Sequence, residues 1–213
     1  MGKPRSPKGR AVRTNELLAL EYPGAECELD HDSAFQLLIA TILSAQATDV
    51  GVNKATPGLF EKYPDAESLA NAKGSEVEKL IGSIGLFRTK SANIIRCSQK
   101  IISDFGGEVP TSIKDLTSLA GVGRKTANVV RSVALDLPGL PVDTHVKRLS
   151  NLLGLTDKSK PEHIEAELNE FLDPDEWGEF SLRMILHGRR VCVARRPNCA
   201  DCVLNNFCPS TQI

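Results

Sequence analysis

The sequence predicts an all-α fold, and three features of its 213 residues lead to that class. Apolar residues recur with a period near 3.6 rather than 2, and capping residues and glycines separate the periodic runs. No pair of alternating runs flanks a hairpin turn, so no sheet is expected. The hydrophobic fraction of 41% is enough to build a core, in one domain or in two small ones.

Two runs in the first half of the chain predict helices. Residues 34–46 (AFQLLIATILSAQ) are apolar on nearly every side, as in a largely buried helix, and Asp32 or Ser33 can cap its start. Residues 90–105 carry apolar side chains at helical spacing. Both runs are expected to pack into a helical core.

Local capping signals indicate the remaining helices. Ser75 and Glu78 have the spacing of a capping box, and Asp143 can cap a helix that Gly154 closes. The stretch 138–141 (PGLP) is the strongest internal boundary. Further helices are predicted over residues 124–136, 144–154, 161–172 and 175–191.

The net charge of −1 hides an uneven distribution along the chain. Residues 1–13 carry five basic side chains and no acid, residues 162–179 carry eight acids without Lys or Arg, and residues 183–196 hold five arginines. This pattern fits either a polarised surface that binds nucleic acid or ordinary solvated helix faces. The basic N-terminal arm is expected to be disordered.

The chain shows no sign of membrane insertion or export. It has no run of about 18 apolar residues and no apolar segment typical of a signal peptide. We therefore expect a soluble protein that stays in the cytoplasm.

The stretch 119–130 (LAGVGRKTANVV) holds two glycines one residue apart, directly before a predicted helix. Gly121 and Gly123 let the backbone turn sharply and leave the first amide groups of that helix unpaired. Such amides attract a phosphate, and Arg124 and Lys125 would strengthen the attraction. An αα-hairpin closed by a glycine C-cap also explains the glycines, and on the glycines alone it is the simpler interpretation.

Lys125 is unusual for a structural lysine, because the positive end of a helix dipole disfavours an ammonium by about 0.3–1 kcal/mol. That effect alone leaves a lysine protonated at neutral pH, so partial burial would be needed to make the amine nucleophilic. Asp143 follows eighteen residues later, where a carboxylate can cap a helix, act as a base or stabilise a developing cation. We expect the two side chains to flank a substrate, since a tight ion pair would favour the ammonium.

Four cysteines near the C-terminus have the spacing C-x6-C-x2-C-x5-C: Cys192, Cys199, Cys202 and Cys208. In an intracellular chain such a group indicates a metal site rather than disulfides. Zinc and a [4Fe–4S] cluster both accept four thiolates. The spacing lacks the two C-x2-C pairs of a zinc ribbon, which puts iron–sulfur modestly ahead. Cys27 and Cys97 stand alone and are expected to be core thiols.

Together these features resemble the endonuclease III family of DNA base-excision glycosylases, in the iron–sulfur branch of the helix-hairpin-helix Gly/Pro-Asp superfamily. The resemblance covers nearly the whole chain and rests on the order and spacing of several motifs. They are 43–55 (LSAQATDVGVNKA), 84–94 (IGLFRTKSANI), 119–130, 141–146 (PVDTHV), 185–189 (ILHGR) and the four cysteines. Ala120 stands where the family often has proline, so we expect a less rigid hairpin.

The resemblance implies a two-lobed helical glycosylase fold with a helix-hairpin-helix motif and a C-terminal iron–sulfur cluster loop. One domain, residues 28–137, would be a helical barrel that contains the hairpin. The other would be discontinuous, joining residues 1–27 to residues 138–213, and its four cysteines would bind a [4Fe–4S] cluster. The cluster would shape a basic loop in which Arg195 and Arg196 contact DNA.

The resemblance also implies the chemistry. Lys125 would attack the sugar C1′ and expel the damaged base, and Asp143 would assist the attack and stabilise the sugar cation. The resulting Schiff base would undergo β-elimination and nick the strand 3′ to the lesion. The implied enzyme is a bifunctional DNA glycosylase and AP lyase of base excision repair, acting on oxidised or saturated pyrimidines and on apurinic sites.

An enzyme of this kind takes the damaged nucleotide out of the duplex stack. By the same resemblance, Gln46 would enter the gap left behind and Leu86 would act as a wedge; their plain structural interpretations are a helix-end cap and a core leucine. The other implied DNA contacts are Gly121, Gly123, Arg124, His145, Arg195 and Arg196. The implied partner is double-stranded DNA with a damaged base or abasic site, bound by a monomer without membrane contact, in the cytoplasm or on a bacterial nucleoid.

Three alternatives stay open on the sequence alone. A monofunctional relative that removes adenine opposite oxidised guanine would lack the lysine at Lys125 and usually carries a further C-terminal domain. A non-catalytic helix-hairpin-helix DNA-binding protein with a four-cysteine metal site would need neither Lys125 nor Asp143. A zinc-stapled DNA-binding protein would lack the brown colour of an iron–sulfur protein.

Overall fold

A computed structural model describes residues 3–213; Met1 and Gly2, the first residues of the predicted basic arm, lie outside the described residues. The chain divides into two compact units. The terminal unit comprises Met1–Glu26 and Pro138–Ile213, and the central unit comprises Cys27–Leu137. Residues 3–213 contain no strand, so the predicted all-α class is confirmed. None of the helices they form has the length and apolar character that a bilayer span requires.

The helices follow one another with short connections, and a 3-10 turn at Pro174–Glu176 precedes the last one. They are α1 (Pro7–Glu21), α2 (Ala34–Leu43), α3 (Asp49–Lys62), α4 (Ala66–Ala70), α5 (Gly74–Leu80), α6 (Phe87–Phe105), α7 (Ile113–Thr117), α8 (Arg124–Ala134), α9 (Thr144–Leu152), α10 (Pro161–Phe171) and α11 (Trp177–Arg190). The predicted helices that became α2, α6 and α8 to α11 differ from these bounds by at most three residues at either end. No bounds were predicted for α1, α3, α4 or α7.

The central unit is built around α2, eight of whose ten residues are buried. Ser33 caps this helix, as predicted, and its Oγ accepts the amide of Gln36 at 3.2 Å. Helix α2 packs against α3, α6 and α8, and α6 also packs against α4 and α5. Apolar neighbours on nearly every side explain why the sequence of α2 lacks a polar face.

The predicted capping box at Ser75 and Glu78 is wrong. Helix α5 already begins at Gly74, and Lys73 occupies the N-cap position without a side-chain hydrogen bond. Packing decides this start, because Val77 is fully buried and the Ser91 hydroxyl of α6 donates to the Gly74 carbonyl at 3.3 Å. Ser75 therefore lies inside the helix, where it cannot cap.

The terminal unit packs α1 against α10 and α11, and packs α9 against the same two helices. Leu18 of α1, Leu168 of α10 and Phe180 of α11 are fully buried in this core. The Ser181 hydroxyl donates to the Pro141 carbonyl at 2.6 Å, which ties α11 to the segment that leads into α9.

The predicted disorder of the basic N-terminal arm is also wrong for most of its length. Helix α1 begins at Pro7, and the Ser6 hydroxyl caps it by accepting the amide of Gly9 at 3.1 Å. Ala11 is fully buried in the terminal core. Burial of the apolar face of α1 offsets the entropy lost when the arm becomes ordered.

Candidate active site and metal centre

The glycine hairpin connects α7 to α8, as predicted. Gly121 has φ +80°, and a Cβ there would lie 3.0 Å from Ile42 of α2 and 3.2 Å from Asn93 of α6. Only glycine tolerates this conformation together with such close neighbours. Gly123 instead has φ −94°, with open space where a Cβ would stand. The backbone that enters α8 is therefore accessible at Gly123.

Helix α8 begins directly after the accessible backbone of Gly123. Gly123 is its N-cap, and among the described residues no side chain provides a cap hydrogen bond there, an arrangement that favours an anion at this helix N-terminus. Arg124 and Lys125 occupy the first two helical positions, and both are exposed. The described residues therefore do not supply the partial burial that a nucleophilic amine needs. Burial raises the pKa of the nearby Cys27 thiol, and the positive charge of Lys125 opposes that shift.

Gln46 and Leu86 share an unusual backbone conformation. Among residues 3–213, positive φ angles occur in three residues other than glycine, and Gln46 at +55° and Leu86 at +60° are two of them. Leu86 is 62% exposed, which rejects the core-leucine interpretation. Gln46 is exposed beyond the end of α2, where Ser44 occupies the C-cap position, so the helix-end cap interpretation fails as well. Strained, exposed side chains of this kind are typical of functional positions.

Asp143 caps α9, as predicted. Its Oδ1 atom accepts the amides of His145 and Val146, each at 2.8 Å, and the residue is half-buried. The same contact fixes the first turn of α9 and therefore the position of His145. A Cβ on Gly188 of α11 would lie 2.8 Å from His145 Nδ1, so a glycine is required beneath this ring. Gly154 follows α9 with φ +63°, as predicted for its C-terminal closure.

The four C-terminal cysteines line one cavity of about 120 Å³ in the terminal unit. All four are partly buried, and none of the six cysteines forms a disulfide. Burial raises the pKa of the Cys202 and Cys208 thiols, and the charges of the neighbouring thiolates raise them further. Binding of iron would displace these protons, because the ligand is the thiolate. Of the two isolated cysteines, Cys97 is fully buried as predicted, and Cys27 is partly buried.

The four thiols fit a [4Fe–4S] cluster. They line one cavity, and a [4Fe–4S] cluster takes four thiolates around a centre larger than a single metal ion.

Three side chains near the cysteines were not predicted from the sequence to belong to the metal centre. Arg148 Nη1 lies 3.6 Å from the sulfur of Cys192. His187 Nε2 lies 3.4 Å from the sulfur of Cys202, and its Nδ1 lies 3.1 Å from the hydroxyl oxygen of Tyr22. His187 falls in the ILHGR motif, but nothing in its spacing indicates a cysteine contact. Burial, together with the charge of Arg148, lowers the pKa of His187 to about 4.

Arg195 and Arg196 lie exposed in the loop between Cys192 and Cys199. The amide of Asn198 donates to the Val191 carbonyl at 2.9 Å and closes this loop at its base. The two arginines thus project from a short segment held at both ends by cysteines of the metal centre.

Comparison with known families agrees with these features. Residues 39–174 match the HhH-GPD superfamily of base excision DNA repair proteins. Residues 192–208 match the iron–sulfur binding domain of endonuclease III. The second match includes all four cysteines of the metal centre.

Individual relatives match over nearly their whole length. Endonuclease III of Synechocystis sp. is 50% identical over 211 residues, covering 99% of this chain and 96% of the relative. Endonuclease III of Bacillus subtilis is 44% identical, covering 90% of this chain and 88% of the relative. A solved structure of a trapped endonuclease III–DNA covalent intermediate, an estranged-adenine complex, has a TM-score of 0.90 and 41% identity, covering 96% of each chain.

Proposed function

The chain belongs to the endonuclease III family, and we infer that it is a bifunctional DNA glycosylase and AP lyase of base excision repair. Its substrates are oxidised or saturated pyrimidines and abasic sites in double-stranded DNA. One observation carries the residue assignment: Lys125 is exposed in the first turn of α8, beside uncapped amides and an open glycine backbone. The covalent DNA complex of a relative supports a nucleophilic route.

We propose that Lys125 Nζ attacks C1′ of the extruded deoxyribose. A bond forms between nitrogen and C1′, the bond to the base breaks, and its electron pair leaves with the base. Because Lys125 is exposed in the protein alone, the bound duplex must supply the desolvation that favours the neutral amine. The nitrogen next loses a proton and the C1′–O4′ bond breaks as O4′ takes one up, which opens the sugar ring and gives the protonated Schiff base. The Schiff base then loses a proton from C2′ and expels the 3′ phosphate, which nicks the strand.

Asp143 is proposed to stabilise positive charge on the sugar as the base departs. Its Oδ1 accepts two amides of α9, so the carboxylate is oriented before substrate binds. The negative charge of this carboxylate is also favourable at the N-terminus of α9.

Duplex DNA is proposed to contact both units. In the central unit, Gly121, Gly123 and Arg124 would bind a phosphate at α8, while Gln46 and Leu86 fill the space left by the extruded nucleotide. In the terminal unit, His145, Arg195 and Arg196 would contact the strand. The four cysteines hold the [4Fe–4S] cluster, which when bound supplies the clamp that shapes the arginine loop.

We further propose that residues 28–137 act as the helical barrel domain, and that residues 1–27 with 138–213 act as the iron–sulfur domain. An enzyme that repairs DNA works inside the cell, and the proposed location is the cytoplasm, on the nucleoid in a bacterium. The proposed active form is a monomer, because every residue assigned to the reaction belongs to one chain.

Borohydride trapping tests the assignment of Lys125. The unmodified protein should form a covalent adduct with duplex DNA that contains an oxidised pyrimidine, and Lys125→Ala should form none while still binding the duplex. Lys114→Ala, an exposed lysine of α7, is the matched control and should trap normally. Equal trapping by Lys125→Ala would remove this residue from the mechanism, and binding without any trapping would favour a non-catalytic DNA-binding protein.

A further inference from the structure

Helix α1 reaches the metal centre through two buried side chains. Tyr22, the C-cap residue of α1, is 8% exposed, and His187 of α11 is 1% exposed. The Tyr22 hydroxyl oxygen lies 3.1 Å from His187 Nδ1, and the two rings meet edge to face with their centroids 6.0 Å apart. On the other side of the imidazole, Nε2 lies 3.4 Å from the sulfur of Cys202. The three groups form one continuous chain of hydrogen-bonding contacts.

The thiolate of the cysteine ligand fixes the direction of these hydrogen bonds. A cysteine that binds iron is a thiolate, which has no proton and can only accept. His187 Nε2 must therefore carry the hydrogen and donate it to the sulfur. A neutral imidazole then has a lone pair on Nδ1, which accepts the hydroxyl proton of Tyr22. Tyr22 thus selects the one tautomer of His187 that can donate to Cys202.

We propose that Tyr22 is a positioning residue for the metal centre: it holds His187 in the tautomer and orientation that donate a hydrogen bond to the Cys202 thiolate. Hydrogen bonds to ligand sulfurs withdraw electron density, so this one raises the reduction potential of the bound cluster and slows loss of iron. The proposal depends on the cysteines holding the cluster and not on the glycosylase chemistry, so the two can fail separately.

A second cysteine accepts a hydrogen bond that is independent of Tyr22. Arg148 donates to the sulfur of Cys192 at 3.6 Å, and neither Tyr22 nor His187 takes part in this hydrogen bond. Removing the Tyr22 hydroxyl should therefore change the environment of Cys202 and leave the contact at Cys192 in place.

The chain offers a matched control, because it has two tyrosines. Tyr63, in the central unit, is 7% exposed and donates its hydroxyl proton to Glu76 at 2.9 Å. Tyr22→Phe and Tyr63→Phe remove the same group from similarly buried sites, and only the Tyr22 hydroxyl contacts His187, which lies against the metal centre. His187→Gln provides the conservative variant, because its amide N–H can reach Cys202 without a tautomer to select.

The measurements are the reduction potential of the cluster by voltammetry, and the rate of iron loss to a chelator followed by visible absorbance. Tyr22→Phe should lower the potential and release iron about tenfold faster, the lower end of the effect of altered partners around metal ligands. Tyr63→Phe should match the unmodified protein. In the His187→Gln background, adding Tyr22→Phe should change neither quantity.

Two results would overturn the proposal. Tyr22→Phe could leave both quantities unchanged, in which case the hydroxyl does not act on the metal centre. It could also lower the potential by the same amount in the His187→Gln background, in which case its effect does not pass through the imidazole tautomer.

Discussion

The backbone of Gly121 lies so close to Ile42 that a Cβ at residue 121 would stand 3.0 Å from Cγ2 of that side chain. The hairpin turn is thereby fixed against α2, the most buried helix of the central unit. With φ +80° as well, Gly121 is constrained by both conformation and space. Gly123, two residues later, has neither constraint. The two glycines of one motif therefore have different roles.

Alanine substitution should separate these roles. Gly121→Ala should destabilise the protein by about 1–3 kcal/mol, because a strained backbone and a steric clash add together. Gly123→Ala should leave the free energy of unfolding within about 0.5 kcal/mol, yet weaken duplex binding by placing a methyl group where a phosphate approaches. Urea denaturation and a binding titration measure the two effects. Equal loss of stability in both variants would contradict the assignment.

Asp143→Asn should slow base release about 10²–10³-fold, because it removes the charge that stabilises the sugar cation. Asparagine caps helices as well as aspartate does, so the stability should fall by less than about 1 kcal/mol. Single-turnover base release measures the first effect and thermal unfolding the second. Asp143→Ser, a good cap without a carboxylate, is the control and should be as slow as Asp143→Asn. Unchanged base release in a folded Asp143→Asn protein would leave capping as the sole role of this residue.

Leu86→Gly should reduce removal of a stacked, paired lesion about tenfold, equivalent to ~1.4 kcal/mol of activation free energy. Cleavage at an abasic site should change much less, because little stacking has to be broken there. Stability should change by less than about 1 kcal/mol, since Leu86 is 62% exposed and glycine tolerates its positive φ. A loss of stability typical of a core leucine would contradict the wedge assignment.

Lys90→Met should stabilise the protein. The Lys90 side chain is buried with the residue only 4% exposed, and its Nζ has no hydrogen-bond partner among the described residues. Removing an unsatisfied buried group should raise the free energy of unfolding by about 1–3 kcal/mol at neutral pH.

The pH dependence of that gain has a definite sign. Burial lowers the pKa of Lys90 in the folded state below its ordinary value of 10.5, so the unfolded chain binds the proton more tightly. The unmodified protein therefore regains stability as pH rises through the folded pKa toward 10.5, and the advantage of Lys90→Met should shrink. Lys54→Met, at an exposed position of α3, should show no such trend. A Lys90→Met protein less stable than the unmodified one at neutral pH would contradict this account.

Sequence reasoning succeeded where neighbours along the chain decide the structure. Asp143 caps α9 through amides two and three residues ahead, and the turn at Gly121 follows from the two glycines themselves. The cysteine spacing likewise predicted the metal centre, because all four ligands fall in one short segment. Each of these signals is local.

The features that the sequence did not predict are those that depend on packing between distant segments. The capping box predicted at Ser75 does not form, because burial of Val77 places the start of α5 at Gly74. The basic arm is ordered because residues of α1 are buried in the core of the terminal unit. The contact of Tyr22 with His187 joins residues 165 positions apart, and no local pattern could indicate it. The exposure of Leu86 reflects a left-handed backbone at the start of α6, which a leucine in sequence does not suggest.

The most direct test of the account is to locate the covalent bond. The borohydride-reduced adduct with a duplex that contains an oxidised pyrimidine can be digested, and the peptide that carries the sugar can be identified by mass spectrometry. The account predicts that the reduced sugar is attached to the side chain of Lys125. Attachment to another lysine or to the N-terminal amine would contradict it.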